Sequence, residues 1–205
     1  MTEKHRSAEH YYAEQPRSEA KFGLVRTQLR GKTFEFITAS GVFSTKRVDL
    51  GTRVLIESMI LPDQGCVLDV GCGYGAVGIV AASSNPKLHV TLTDVNRRAV
   101  LLARQNVEKN NVPNAQVKQG SLYEPVEGLV FHCVLSNPPV SAGMKTIEAM
   151  IRGAPAVMAF KATFQMVIQS KIGKKTLPAL FCEAFGNFRV LARESGYRVL
   201  IAEKR

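Results

Sequence analysis

The chain has no tryptophan, only four cysteines in 205 residues, and 17 acidic side chains against 27 Lys and Arg. Cys66, Cys72, Cys133 and Cys182 are scattered, with no Cys-x-x-Cys pair. Neither a zinc-finger pattern nor a disulfide framework fits, and reduced thiols are expected. His5, His10, His89 and His132 form no His-Glu-x-x-His or related cluster, so no metal site is expected. No apolar run approaches the roughly 20 residues that span a bilayer. The polar opening, Met-Thr-Glu-Lys-His-Arg, has no apolar stretch of the signal-peptide kind. No membrane partner is expected, and the expected location is cytoplasmic.

What is present suits an ordinary globular protein: 45% of residues are apolar and 21% charged. The length allows one sizeable α/β core and little more. The net charge of +10 is unevenly spread: residues 54–144 carry −1, whereas residues 1–53 carry +4 and 145–205 carry +7. A basic rim around a neutral centre suits a polyanionic substrate, because phosphate contacts supply steering and non-specific affinity.

Residues 1–30 read as a polar N-terminal arm, and residues 31–205 as a single domain. Residues 34–38 and 42–43, joined through Ser40-Gly41, suggest a short hairpin, and apolar spacing suggests a helix over 49–60. From Cys66 onward strands (66–70, 88–93, 115–119, 129–135, 163–168) alternate with helices (76–83, 97–110, 145–158, 176–185). A hairpin of 187–192 and 197–201 around Ser195-Gly196 closes the chain. Such alternation implies an α/β fold with a parallel sheet and helices on both faces. Ligands of such sheets bind beyond the carboxyl ends of the strands.

The motifs fall at those ends. Gly71-x-Gly73-x-Gly75 follows the first strand of the series, where glycines let a ligand approach the backbone. Alone, this loop serves a dinucleotide equally well. Asp69, two residues before it, suits a cationic amino group better than a pyrophosphate. Asp94 ends the next strand, where an acid can take both ribose hydroxyls. Asn137-Pro138-Pro139 follows the fourth strand. Two prolines stiffen the chain and remove two donors, leaving carbonyls beside the Asn137 amide to hold both N–H groups of a planar amine. Held so, the nitrogen lone pair turns toward an electrophile, and no general base is required.

Together, Asp69-Val-Gly-Cys-Gly-Tyr-Gly75, Asp94 and Ser136-Asn-Pro-Pro139 resemble the class I S-adenosylmethionine methyltransferases that modify exocyclic or amide nitrogens. Ser40-Gly-Val-Phe-Ser44, Val48-Asp49 with Gly51-Thr52, Asn137-Pro-Pro-Val-Ser-Ala-Gly143, Gln169-Ser-Lys-x-Gly173 and Gly196-Tyr-Arg-Val199 resemble the ribosomal RNA small-subunit guanine-N2 methyltransferases, in their single-domain form. The resemblance implies a Rossmann-like class I methyltransferase fold: a mostly parallel seven-stranded sheet, helices on both faces, and a C-terminal antiparallel hairpin.

It further implies S-adenosylmethionine as cofactor. Asp69, Gly71, Gly73 and Gly75 would hold its methionine part, Asp94 its ribose with Asn96 close by, and Ser121 and Leu122 would flank its adenine. Phe43 and Thr52 would close the pocket, and Asn137, Pro138, Pro139 and Val140 would present the acceptor nitrogen. Ser121 stands where the family often has Asp. Val140 stands where nitrogen methyltransferases often carry an aromatic ring. The implied partner is RNA, ribosomal RNA or a ribosomal particle, with Lys145, Lys171, Lys174 and Lys175 as candidate phosphate contacts. A protein glutamine amide or adenine as acceptor, a dinucleotide-dependent oxidoreductase and a silent RNA-binding relative remain alternatives at this point.

Overall fold

The computed structural model describes residues 21–42, 46–139 and 143–205. The sequence opens with an antiparallel hairpin, β1 (Phe22–Leu29) and β2 (Lys32–Ala39), separate from the main sheet. This corrects the expected hairpin. Residues 22–29, assigned to the polar arm, are its first strand, and the turn lies at Arg30-Gly31, both at positive φ as a two-residue hairpin turn requires. The alternation was hidden because the outward face of β1 is itself apolar: Phe22 and Leu24 are exposed, while Val25 and Leu29 are buried.

After α1 (Leu50–Ser58), strands and helices alternate: β3 (Gly65–Val70), α2 (Ala76–Ser84), β4 (Leu88–Asp94), α3 (Arg97–Lys109), β5 (Ala115–Gln119), β6 (Phe131–Ser136), α4 (Gly143–Gly153), β7 (Met158–Gln169), α5 (Thr176–Phe185), β8 (Arg189–Glu194) and β9 (Tyr197–Glu203). The main sheet has seven strands in the order β5-β4-β3-β6-β7-β9-β8. The first five are parallel, and β9 enters antiparallel between β7 and β8 through the Ser195-Gly196 turn. The architecture is the mostly parallel α/β sheet with a closing hairpin that the alternation implies.

Both faces of the sheet are covered. Val67, Leu92, Cys133 and Leu135 pack on the side of α1, α2 and α3, and Leu68, Val70 and Val134 on the side of α4 and α5. That is why β3 and β6 read as continuous apolar runs. Fully burying one such leucine contributes about 1.5–3 kcal/mol. The expected helix over 145–158 is shorter in fact: it ends at Gly153, and Pro155 sits in a 3-10 turn over residues 154–157. Proline cannot continue the ladder of α4, so β7 starts at Met158.

The hairpin is held against α3 by two asparagines one turn apart. Ile37 N donates to Asn106 Oδ1 (2.7 Å), and Asn106 Nδ2 donates to the carbonyls of Ile37 and Tyr74 (2.9 Å each). Asn110 repeats the exchange with Glu35, accepting from its N at 3.1 Å and donating to its O at 2.8 Å. Four helical residues rise about 6 Å and two strand residues about 6.8 Å, so the two spacings match. Among the described residues, no helix is long and apolar enough to cross a membrane.

Candidate functional site

Strand β3 lies where the sheet changes direction, with β4 and β5 added on one side and β6 and β7 on the other. Such a switch point leaves a crevice beyond the carboxyl ends. On one flank is the glycine turn. Gly71 N and Cys72 N both donate to Thr93 O at 2.9 Å, tying the turn to the end of β4. Gly73 has φ +58°, and nothing lies within 4 Å of where a Cβ would stand, so its open side faces free space. Gly75, at φ +94°, caps α2, and a Cβ there would meet Ile79 Cδ1 at 3.0 Å and Leu92 Cδ2 at 3.2 Å. The motif therefore serves a ligand-facing turn at one glycine and close helix packing at the other.

Two carboxylates stand beside this turn. Asp69 is buried and accepts from Gly78 N at 2.8 Å. Burial pushes its carboxyl up to about 7, opposed by the Gly78 bond and assisted by the nearby Asp94 charge. Asp94 accepts from Gly73 N (2.8 Å) and Asn96 N (2.9 Å). It is also raised by burial, against the pull of those backbone bonds. Neither has an ion-pair partner among the described residues. Gly78 was not singled out from sequence. A Cβ there would lie 2.5 Å from Leu92 Cγ and 3.1 Å from Asp69 Oδ2, and a glycine inside an otherwise apolar helix was the available signal.

The raised Asp69 has a consequence for stability. Between about pH 4 and 7 the folded protein keeps a proton on Asp69 that the unfolded chain releases, so stability falls as pH rises through that window. Above it the penalty is complete. Asp69→Asn removes this component. Its unfolding free energy is expected to rise relative to that of the parent protein as pH goes from 4 to 7, by an amount on the order of a few kcal/mol, and its melting midpoint with it. A difference independent of pH in paired calorimetric scans would contradict this.

The opposite flank is the Asn-Pro-Pro segment. Ser136 Oγ donates to Val70 O at 2.9 Å, which fixes the ends of β6 and β3 together. Asn137 Nδ2 donates to Asp49 Oδ2 (3.0 Å) and Thr52 Oγ1 (2.8 Å). Asp49 is the N-cap of α1, taking Thr52 N at 2.9 Å and Thr52 Oγ1 at 3.0 Å. The sequence alone assigns Asp49 no role at the site. Its Asp-x-x-Thr spacing before an apolar run marks a helix start, but not its partner 88 positions away.

Both flanks line one cavity of about 360 Å³. Of the residues proposed from sequence it gathers Thr52, Asp69, Gly71, Gly73, Asp94, Ser121, Leu122, Asn137, Pro139 and Lys145. Lys145, a candidate phosphate contact, lies on the cavity wall with Thr146, Ala149 and Met150, an α4 face not foreseen from the sequence. Asn96 is buried beside the cavity, capping α3 by accepting from Arg98 N and Ala99 N and donating to Gly41 O. Pro138 is buried, and Gly75 lies behind the turn. Lys171, Lys174 and Lys175 are exposed beyond β7 and do not line the cavity. Phe43 and Val140 lie outside the described residues.

The profile of the methyltransferase small domain matches residues 33–201. The chain is 36% identical over 199 residues to YbxB, an uncharacterized protein of Bacillus subtilis (strain 168), covering 96% of this chain and 99% of that one. It is 36% identical over 166 residues to ribosomal RNA small subunit methyltransferase C of Yersinia enterocolitica, covering 79% of this chain and 46% of that protein. The chain thus spans about half the length of the relatives bearing that name. The T. thermophilus 16S rRNA N2 G1207 methyltransferase, solved with AdoMet and guanosine, superposes with a TM-score of 0.82 at 27% identity, over 93% of this chain and 52% of that one. When bound, S-adenosylmethionine supplies an electrophilic methyl group on a cationic sulfur. Buried Asp69 and half-buried Asp94, neither ion-paired among the described residues, stand beside a glycine turn open to the cavity and suit its charges and its ribose hydroxyls. The chain belongs to the methyltransferase small domain family and is an S-adenosylmethionine-dependent methyltransferase.

Proposed function

We propose that the acceptor is the exocyclic N2 amine of guanine in ribosomal RNA. The observation that carries this is the Asn137 amide, whose nitrogen is taken by Asp49 and Thr52, leaving its carbonyl oxygen without a partner among the described residues, in a residue that lines the cavity. A carbonyl there accepts an N–H, and the Pro138 carbonyl supplies the second acceptor. Together they hold a planar amine with its lone pair toward the methyl donor. Asp69, Gly71, Gly73 and Gly75 take the methionine part of the cofactor, and Asp94, held rigid by Asn96 N, takes its ribose. Ser121 and Leu122 flank the adenine, while Thr52 closes the pocket. Pro139 gives apolar contact to the base.

The names of the methyltransferase C relatives support RNA as substrate, as does guanosine in the T. thermophilus structure. The net charge of +10 favours a polyanion. Lys171, Lys174 and Lys175 then contact phosphate outside the pocket, and Lys145 acts at its mouth. We place the reaction in the cytoplasm.

The test is transfer of labelled methyl from S-adenosylmethionine to small-subunit RNA, offered both naked and as assembled subunits, with a protein fraction alongside. Digestion to nucleosides is expected to put the label in N2-methylguanosine. Label in methyladenosine, or only in protein, would overturn the guanine assignment.

A further inference from the structure

We infer that Asp49 is a positioning residue that sets the polarity of the Asn137 amide, and so determines that a carbonyl rather than an N–H faces the acceptor. This rests on the acceptor assignment above and deepens it. A primary amide is nearly symmetric in shape. Rotating it by half a turn exchanges oxygen and nitrogen at little steric cost, so its hydrogen-bond partners choose the orientation.

Here the choice is one-sided. Asp49 Oδ2, 3.0 Å from the Asn137 nitrogen, is a carboxylate oxygen and only accepts. Thr52 could donate, but its hydroxyl proton goes to the same Asp49 oxygen at 3.0 Å, leaving Thr52 Oγ1 as an acceptor 2.8 Å from Asn137 Nδ2. A flipped amide would bring its oxygen against two acceptors and lose both bonds.

Asp49 is itself held from two sides. Thr52 N anchors Oδ2 at the start of α1, and the Tyr197 hydroxyl on β9 donates to Oδ1 at 3.4 Å. Tyr197 comes this close because residue 51 is glycine: a Cβ there would stand 2.7 Å from Tyr197 Cε1. Three distant parts of the chain thus converge on the orientation of one side chain.

Capping and amide polarity separate experimentally. Asn caps a helix about as well as Asp, but in Asp49→Asn the new amide can turn either face toward Asn137, so both orientations of Asn137 become available. The expected result is a melting temperature and S-adenosylhomocysteine affinity close to those of the parent protein. The kcat on small-subunit RNA falls about 10- to 100-fold with little change in KM. Independently of activity, the Asn137 side-chain NH2 pair, identified in 15N spectra by its loss in Asn137→Ser, should exchange slowly with solvent in the parent protein. It should lose that protection in Asp49→Asn. Protection that survives in Asp49→Asn, or lost protection with undiminished kcat, overturns the proposal. A protected pair that Asp49→Asn exposes, in a parent protein that methylates no RNA, leaves the polarity device standing and removes the acceptor assignment instead.

Discussion

Asn137→Ala is expected to slow methyl transfer by about 10²- to 10³-fold, the range found when one preorganised polar group is removed from a reacting centre. The cofactor should still bind, because the Asp69 and Asp94 carboxylates and the glycine turn lie on the other flank and share no hydrogen bond with Asn137. The fold should lose little. Asp49 keeps its bonds from Thr52 N and Thr52 Oγ1, so α1 stays capped. The lost Asn137 bonds cost about 1–3 kcal/mol. Single-turnover rates at saturating cofactor, with the dissociation constant for S-adenosylhomocysteine measured by calorimetry, separate the two effects. A rate within about threefold of the parent protein would mean that the acceptor is clamped elsewhere.

Asp94→Ala should do the reverse and act on the cofactor. Hydrogen bonds to a charged group contribute about 1.5–3 kcal/mol each. In the role proposed for Asp94, loss of two such bonds to the ribose corresponds to at least about 100-fold in affinity at 1.4 kcal/mol per decade. The same substitution strips the acceptor from Gly73 N and Asn96 N. The glycine turn loosens with it, and denaturant midpoints should fall as well. Asp94→Asn retains one acceptor oxygen and is expected to lie between the two. An Asp94→Ala protein that binds S-adenosylhomocysteine within about threefold of the parent would show that the ribose is held by something other than this carboxylate.

Much of the architecture is legible in the residues because the central parallel strands, buried on both faces, are largely apolar, and glycines punctuate the chain between elements. Residues 66–70 and 88–93 lie within the observed β3 and β4, and 115–119 and 176–185 coincide with β5 and α5. Elements with exposed apolar faces were harder. In β1 Phe22 and Leu24 point outward and erase the alternation. The first residues of β7 hold an exposed Phe160 and a Lys161 at positive φ, which do not read as strand. At the site, residues of local motifs such as Asp69, Gly73, Asp94 and Asn137 could be chosen and do share one cavity. Asp49 could not be chosen. Its significance is a contact made only when the start of α1, the end of β6 and β9 meet, and no local pattern encodes such a meeting. Gly78 is similar, because the close approach of Leu92 and Asp69 exists only after the sheet forms.

The pairing of Asn106 and Asn110 with β2 has a meaning beyond holding the hairpin. A strand whose outer N–H and C=O groups are bare is a template on which a foreign strand can add, and natural proteins guard against such self-association. On β2 the groups of Glu35 and Ile37 are already occupied, by helix side chains in place of another backbone. A helix thus closes off this border of a small two-stranded sheet, through two amides that take no part in the chemistry.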